Sequence, residues 1–193
     1  MTETEITVQV LDDLETIKNT LANKGFCYKE TFELNDEYYS KYSLKEVLSF
    51  DYANLIKQSI LLREVVDEKT QVQLIYKNKT LDKNGTVVAE EKYKTKLESK
   101  VATEQILKSA GLIRWGKLLQ KCYAYSNGKF GFAIQVVAGL GIFIEAEETE
   151  QMKDFLPEQK INALKQQVNS LGLTLGKDYS CKKPYMLLHK IWQ

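Results

Sequence analysis

The sequence predicts an α+β fold in which about eight antiparallel strands alternate with a few helices. Many short segments alternate apolar and polar residues, as half-buried strands do, while several longer segments carry apolar residues at helical spacing. Two Asn-Gly pairs, Asn84-Gly85 and Asn127-Gly128, are signals for tight turns that join antiparallel strands. Eight strands is also about the number at which a sheet can close into a barrel with an interior of its own.

The strands are predicted from alternation and from their β-branched and aromatic content. The first segment shows the pattern most cleanly, because Ile6, Val8 and Val10 share one face while Glu5 and Thr7 share the other. The predicted strands cover 4–10, 27–39, 59–67, 70–79, 87–99, a hairpin over 115–137 and a last strand at 141–148.

The helices are predicted where an apolar stripe lies between a start signal and a stop signal. Leu14, Ile17 and Leu21 form such a stripe, and Gly25 ends it. Pro157 suits the first turn of a later helix. The predicted helices cover 12–25, 44–58, 103–111 and 157–171, with a short helical tail at 183–192.

The bulk composition indicates a soluble globular protein with one domain over residues 1–193. The chain is 44% hydrophobic and 27% charged, its formal net charge is +1, and it contains neither an internal repeat nor a Pro/Gly-rich linker. With this balance, the chain lacks the overall excess of positive charge that is typical of proteins that bind nucleic acid. No apolar run is long enough to span a bilayer, and the first residues lack the features of a secretion signal.

The cysteine and histidine content narrows the possible chemistry. Three cysteines without C-x-x-C spacing indicate neither a disulfide framework nor a zinc site, so we expect a reducing, cytoplasmic location. A single histidine, His189, excludes a metal cluster built from histidines. The sequence leaves the oligomeric state open, a homodimer included.

Two carboxylates raise the main question about function. Glu145 and Glu147 share one face of a strand that follows the very apolar segment FGFAIQVVAGLG. Periodicity alone favours the simple interpretation that charged faces are solvated, especially for the lysine row at 92, 94 and 96. The alternative is that the polar faces point into a water-filled barrel, where carboxylates would bind a divalent cation and lysines would bind phosphate.

Several motifs resemble the CYTH superfamily, also called the triphosphate tunnel metalloenzymes. This superfamily includes class IV adenylate cyclases, thiamine triphosphatases and inorganic triphosphatases. The segment GLGIFIEAE resembles the family's G-L-G-x-F-x-E-x-E motif and is the most specific match. The others follow in the family's order along most of the chain: ETEITVQV, NDEYYS, SILLREV, LIYKNK, EEKYKTKLES and KKPYMLLHK.

The resemblance implies an eight-stranded antiparallel barrel, a tunnel with flanking helices. It also implies a site for Mg²⁺ or Mn²⁺ and a small molecule that contains a triphosphate. By position in the motifs, the metal ligands would be Glu3, Glu5, Glu145 and Glu147. The triphosphate would be held by Arg63, Lys77, Lys117 and Lys121, whereas Lys183 is expected to lie on the surface.

The motif set is degenerate, and this leaves three hypotheses. Thr7 and Val65 replace cations, Gln135 and Ala138 replace acids, and Glu90, Lys92 and Lys94 reverse the charges of the R-x-E-x-E strand. The first hypothesis is a metal-dependent phosphohydrolase or adenylate cyclase-like protein that acts on a nucleoside triphosphate, thiamine triphosphate or tripolyphosphate. The second is a catalytically weakened module that binds nucleotides or polyphosphate. The third is a structural or partner-binding domain with solvated polar faces.

Overall fold

The structure is a computed structural model that describes residues 2–81 and 87–191, with the side chains of residues 4–80 and 90–190. Its strands form one antiparallel sheet in the order β1-β6-β5-β4-β3-β7-β8-β9-β2. The strands are β1 (Thr2–Glu3), β2 (Glu5–Val10), β3 (Cys27–Ser40), β4 (Ser59–Val66), β5 (Gln71–Leu81), β6 (Val87–Leu97), β7 (Ile113–Ser126), β8 (Gly131–Val137) and β9 (Gly141–Glu147).

The N-terminal segment joins the two ends of this sheet. Only Thr4 separates β1 from β2, yet β1 pairs with β6 and β2 pairs with β9. The two short segments therefore act as one strand, and the sheet has eight strands that curl into a barrel. The predicted fold, an α+β protein built on an eight-stranded antiparallel barrel, is confirmed.

A C-terminal segment completes the seam beside β2. The Thr7 amide donates to the Tyr179 carbonyl at 3.1 Å, and the Cys181 amide donates to the Thr7 carbonyl at 3.0 Å. Farther along, the Gly176 amide donates to the Gln9 carbonyl at 2.8 Å. Residues 174–181 thus satisfy backbone groups of β2 that β9 does not reach, and they lead directly into the last helix.

The helices lie outside the barrel or across one of its ends. They are α1 (Leu14–Asn23), α2 (Leu44–Leu48), α3 (Tyr52–Lys57), α4 (Lys100–Ser109), α5 (Pro157–Asn169) and α6 (Lys183–Ile191), with a 3₁₀ turn at Glu150–Met152. Among the described residues, none of these helices has the length and apolarity that crossing a membrane requires.

The single helix predicted over 44–58 is wrong, because two helices occupy this range. Ser43 and Glu46 form a capping box that starts α2, and the Ser49 hydroxyl donates to the Glu46 carbonyl at 2.6 Å near its end. Asp51 then caps α3 by accepting from the Asn54 amide at 2.8 Å. The predicted turn at Asn84-Gly85 lies outside the described residues, although β5 and β6 pair antiparallel on either side of it.

Two large apolar cores hold the barrel in shape, and a smaller third core packs α4 against β3 and β4. The first packs α1 and α5 against the outside of β2, β8 and β9, with buried side chains such as Val8, Leu21 and Leu164. The second packs α2, α3 and α6 at the end of the barrel where β3 ends and β4 begins, around Leu55 and Trp115. One end of the barrel is therefore covered by helices, and the interior is left to the polar faces of the strands.

Candidate functional site in the barrel lumen

The barrel encloses a polar cavity of about 100 Å³. Alternate residues of the strands form its lining, since every second residue of a strand points inward. The charged residues that line it or bridge its lining are Glu5, Asp36, Arg63, Lys77, Lys79, Glu90, Lys92, Glu145, Glu147, Lys182 and Lys183.

Three carboxylates converge at one side of this lumen. Glu5 pairs with Glu147 across β2 and β9, and Glu145 lies two residues before Glu147 on β9. One oxygen from each of the three lies within 4.8 Å of the others. The β9 strand thus continues from an apolar segment into carboxylates because its inward face enters the lumen. By the number, chemistry and spacing of their oxygens, the three groups fit a hard divalent cation.

Three lysines interleave with two of the buried carboxylates. Lys79 forms an ion pair with Glu90 and lies 3.3 Å from Glu5, measured from its Nζ to the carboxylate oxygen. Lys92 lies 3.4 Å from Glu5 and 3.3 Å from Glu90, and Lys77 lies 3.3 Å from Glu90. This lysine cluster places three ammonium groups on neighbouring strands β5 and β6, beside the carboxylates of β2 and β9.

Arg63 is held by Asp36 on the opposite wall. Its Nε and Nη2 donate to the two carboxylate oxygens of Asp36, each at 2.7 Å, in the bidentate geometry that suits a guanidinium. Gln120 donates to the same carboxylate at 3.4 Å. Asp36 is only 1% exposed, so this pair fixes the direction of the Arg63 side chain inside the barrel.

Lys183 enters the lumen from the first turn of α6. Its ammonium lies 3.2 Å from a carboxylate oxygen of Glu145 and also contacts the side-chain oxygen of Gln135. The Thr7 hydroxyl donates to the same Glu145 oxygen at 3.4 Å. The expectation that Lys183 is a surface residue is therefore wrong, because the short segment 179–181 along β2 carries the start of α6 over the cavity.

Burial and charge shift several pKa values in this cluster in opposite directions. Burial raises the pKa of Glu5, but the surrounding lysines, Lys77 foremost, outweigh it and hold that pKa well below its usual range. Burial lowers the pKa of Lys77 despite the nearby Glu5 and Glu90. For Lys79, Tyr52 and the two carboxylates outweigh burial and raise the pKa above its usual value. In the folded protein the surroundings of Glu5 and Lys79 thus favour their charged forms, whereas burial disfavours the charged form of Lys77.

The structure brings together five of the eight residues predicted for the site. Glu5, Glu145, Glu147, Arg63 and Lys77 all line the lumen. Lys117 and Lys121 do not join them, because both are exposed on the outer face of β7, while Leu118, Gln120 and Cys122 are buried. The backbone of Glu3 pairs with Glu90, and its side chain lies outside the described side chains.

Six charged residues at the lumen were not assigned to the site from the sequence, namely Asp36, Lys79, Glu90, Lys92, Lys182 and Lys183. Lys79 and Glu90 were detectable in principle, since each lies on the same strand face as a residue that drew attention, Lys77 and Lys92 respectively. Asp36 lies inside the quoted segment NDEYYS but was not assigned a role. Lys183 carried no signal, because its position depends on how the C-terminal segment crosses the barrel.

Comparisons with known proteins give a likeness in structure but not in sequence. No protein-family model matches this chain, and no curated protein matches it. A solved protein from Pyrococcus horikoshii has a TM-score of 0.74 and 19% identity, over 97% of this chain and 99% of its own. A proposed adenylate cyclase from Vibrio parahaemolyticus has a TM-score of 0.62 and 14% identity, over 90% of each chain.

A third solved structure of similar fold belongs to a protein for which a triphosphatase activity is described. It is a proposed adenylyl cyclase from Hippeastrum with a dominant triphosphatase activity, and its TM-score is 0.59 at 14% identity, over 97% of this chain and 95% of its own. At such identities the likeness concerns the fold alone. The barrel fold implied by the motifs is thus confirmed at that level, since this chain shares its fold with two solved structures of proposed adenylate cyclases.

Proposed function

We propose that this protein is a metal-dependent phosphohydrolase or adenylate cyclase-like protein that binds a triphosphate in the barrel lumen. One observation carries the proposal: three converging carboxylates and a wall of lysines and an arginine face the same enclosed cavity. A phosphate chain needs both, because cations and a metal ion share the charge that develops on its oxygens. The fold shared with the cyclase-like and triphosphatase structures supports the same class.

Mg²⁺ or Mn²⁺ would be held by Glu5, Glu145 and Glu147, with Glu3 as the further ligand that the motif predicts. When bound, the ion supplies positive charge to the phosphate oxygens and orients them. The protein's own part is to hold the three carboxylates close together and to keep Glu5 ionised despite its burial. The lysines perform this task, since they lower the pKa of Glu5 against the effect of burial.

The phosphate chain would lie along Lys77, Lys92 and Arg63. Burial lowers the pKa of Lys77, so an arriving polyanion would stabilise its charged form and gain a strong contact. Arg63 remains directed into the cavity by Asp36. Lys117 and Lys121, expected at this site from the motifs, are not part of the proposal, because their side chains are exposed on the outer face of β7.

A second candidate function is binding without turnover. The observation in its favour is that internal partners already engage the groups expected to act. Asp36 holds Arg63 with two hydrogen bonds of 2.7 Å, and Lys183 contacts Glu145 at 3.2 Å. Thr7 and Gln135 also line the lumen in place of a charged pair of the motif. Such a site can hold a nucleotide or polyphosphate, but it would stabilise the transition state of hydrolysis or cyclisation less than a site with the full motif.

A substrate panel tests the proposal and separates its branches. The purified protein is incubated with ATP, thiamine triphosphate or tripolyphosphate in the presence of Mg²⁺ or Mn²⁺, and both phosphate and cyclic nucleotide are measured. Phosphate release identifies a hydrolase, and cyclic nucleotide identifies a cyclase. Binding of a triphosphate without either product selects the binding module.

The matched variants are Glu145→Gln with Glu147→Gln in the lumen and Glu150→Gln on the surface. We expect the double variant to lose at least a hundredfold in turnover, or its metal-dependent binding if turnover is absent. Glu150→Gln should behave as wild type, because its side chain is 90% exposed and is not among the residues that line the lumen. If wild type neither binds nor converts any of the three compounds, the proposed function is wrong.

A further inference from the structure

A second cavity, of about 140 Å³, lies at the helix-covered end of the barrel, between α6 and the first part of β7. Pro184, Leu187 and Leu188 of α6 form one of its walls. Tyr38 and Leu118 form the wall toward the barrel interior, because both residues line the lumen as well. We refer to this space as the helix cavity. The proposed triphosphate site makes no use of it.

A bulge in β7 shapes the helix cavity. Tyr38 of β3 pairs with Gly116, whereas the next residue of β3 pairs with Arg114. Trp115 is thus the extra residue of the bulge, and its indole is buried in the second core. A β-carbon at Gly116 would lie 3.8 Å from the nearest atom of Tyr38, an ordinary contact distance. The cavity wall therefore has room for a further group beside Gly116.

The walls of the helix cavity suit a single ring. The rings of Tyr38 and Trp115 are 5.0 Å apart between centroids and tilted by 37°, so a third ring can meet them by edge or face. The indole N–H of Trp115 donates to the Ser59 hydroxyl at 2.9 Å, so this polar atom already has its partner. An engineered apolar cavity of about 150 Å³ in another protein binds benzene. The helix cavity thus has the size and the apolar walls for a benzene-sized group.

Lys117 adds a positive charge to this lining. It is the one charged residue among the described residues that line the helix cavity, and its side chain is exposed. No acidic side chain within residues 4–80 and 90–190 forms an ion pair with it. A ligand that carries a carboxylate on its ring could therefore reach the Lys117 ammonium from the solvent side. Its ring would be buried while its charge stays hydrated, which avoids the cost of burying a charge.

We propose that the helix cavity binds a small monocyclic aromatic carboxylate, a compound of the benzoate class. The ring would lie against Trp115 and the apolar side chains of α6, and the carboxylate would lie toward Lys117. The motifs suggested Lys117 for the triphosphate, and this site gives the residue a different ligand. The inference does not rest on the proposed function, because no charged residue of the lumen takes part in it. Since α6 forms one wall, a bound ligand should also stabilise the packing of α6 on the barrel.

The test is calorimetry with benzoate as the probe, acetate as the ligand without a ring and benzyl alcohol as the ligand without a charge. We expect wild type to bind one equivalent of benzoate, to be stabilised by it in a thermal melt, and to show no binding of acetate. Gly116→Val places a side chain in the cavity wall without backbone strain, because Gly116 does not have a positive φ. It should weaken benzoate binding about tenfold or more.

Lys117→Met tests the charge separately. It should weaken benzoate binding about three- to fivefold, the effect of an exposed ion pair, and leave benzyl alcohol within about twofold of wild type. Lys121→Met is the matched control, because Lys121 is exposed on the same strand and does not line the cavity. It should bind both ligands as wild type does. An equal loss of benzoate affinity in both lysine variants would overturn the assignment of Lys117.

A second filling variant, Leu187→Phe, keeps the inference testable if Gly116→Val does not fold. The inference is overturned if wild type does not bind benzoate, or if the folded filling variants bind it as tightly as wild type. Lys77→Met distinguishes the helix cavity from the lumen. Loss of benzoate binding in Lys77→Met, with full binding in Gly116→Val, would place the carboxylate in the lumen and so contradict the proposal. Failure of the triphosphate panel would leave these benzoate results unchanged.

Discussion

At the scale of single residues, the lumen is an alternating set of buried charges whose members differ in what they contribute. Burial lowers the pKa of Lys77, whereas that of Lys79 is raised by its carboxylate and tyrosine neighbours. Lys79→Met should therefore destabilise the fold, by less than the ~3–5 kcal/mol of a fully unpaired buried charge, because Glu90 loses one of its three lysine partners. Lys77→Met should cost clearly less. Urea unfolding of the two variants checks this order, and equal losses would contradict it.

The same cluster predicts a dependence of stability on acidity. Lysines hold the pKa values of Glu5 and Glu90 below their usual range in the folded protein, so these carboxylates stabilise the fold above about pH 4.5, the ordinary value for glutamate. Their contribution is lost as the pH falls below that value. We expect Glu5→Gln to flatten the fall in unfolding free energy between pH 5 and pH 3, and Glu150→Gln, on the surface, to leave it unchanged.

Lys183 gives a third prediction at this scale, because its ammonium contacts Glu145 and would compete with the proposed divalent cation for that carboxylate. Removing that charge with Lys183→Met should tighten Mn²⁺ binding about tenfold, as measured by calorimetry without any substrate. Lys190→Met, on the exposed side of the same helix, is the control. Weaker or unchanged Mn²⁺ affinity in Lys183→Met would show that the lysine does not occupy the cation's place.

At the scale of elements, the break between α2 and α3 shows where local signals outweigh periodicity. Apolar residues continue at helical spacing through 44–58, yet Asp51 caps a new helix by accepting the Asn54 amide at 2.8 Å. Asp51→Ala should cost about 1 kcal/mol, the usual value of an N-cap, and lower the melting temperature by a few degrees. A thermal melt tests this, with the exposed Asp154→Ala as control. An unchanged melting temperature would mean that packing alone sets the start of α3.

Strand alternation predicted which residues share a face in most strands, but it did not predict which of the two faces points into the lumen. In a water-filled barrel both faces can be polar, so the pattern in β7 does not distinguish an inward face with Gln120 from an outward face with Lys117 and Lys121. The resemblance to known motifs identified Glu145 and Glu147, which the apolar context of β9 also marks. Lys183 could not be predicted, because a contact between α6 and β9 depends on tertiary structure.

At the scale of the whole molecule, closure of the barrel is what turns a set of charged strand faces into a site. The N-terminal strand pairs with β6 through residues 2–3 and with β9 through residues 5–10, which brings Glu5 between the lysines of one edge and the carboxylates of the other. Strand count and turn signals predicted the antiparallel sheet. Its closure depends on pairing between residues about 90 and 140 positions apart along the chain, so only the family resemblance predicted it.

The most direct test of the central claim is a crystal structure of the protein with tripolyphosphate or a non-hydrolysable ATP analogue and Mn²⁺, with anomalous data at the manganese edge. If the lumen binds the metal, an anomalous peak should lie roughly 2.1–2.3 Å from carboxylate oxygens of Glu145 and Glu147, the distance expected for such an ion. Phosphate density should then lie between that peak and Lys77 or Arg63. A peak and phosphates bound only on the outer face of the barrel would contradict the assignment of the lumen as the site.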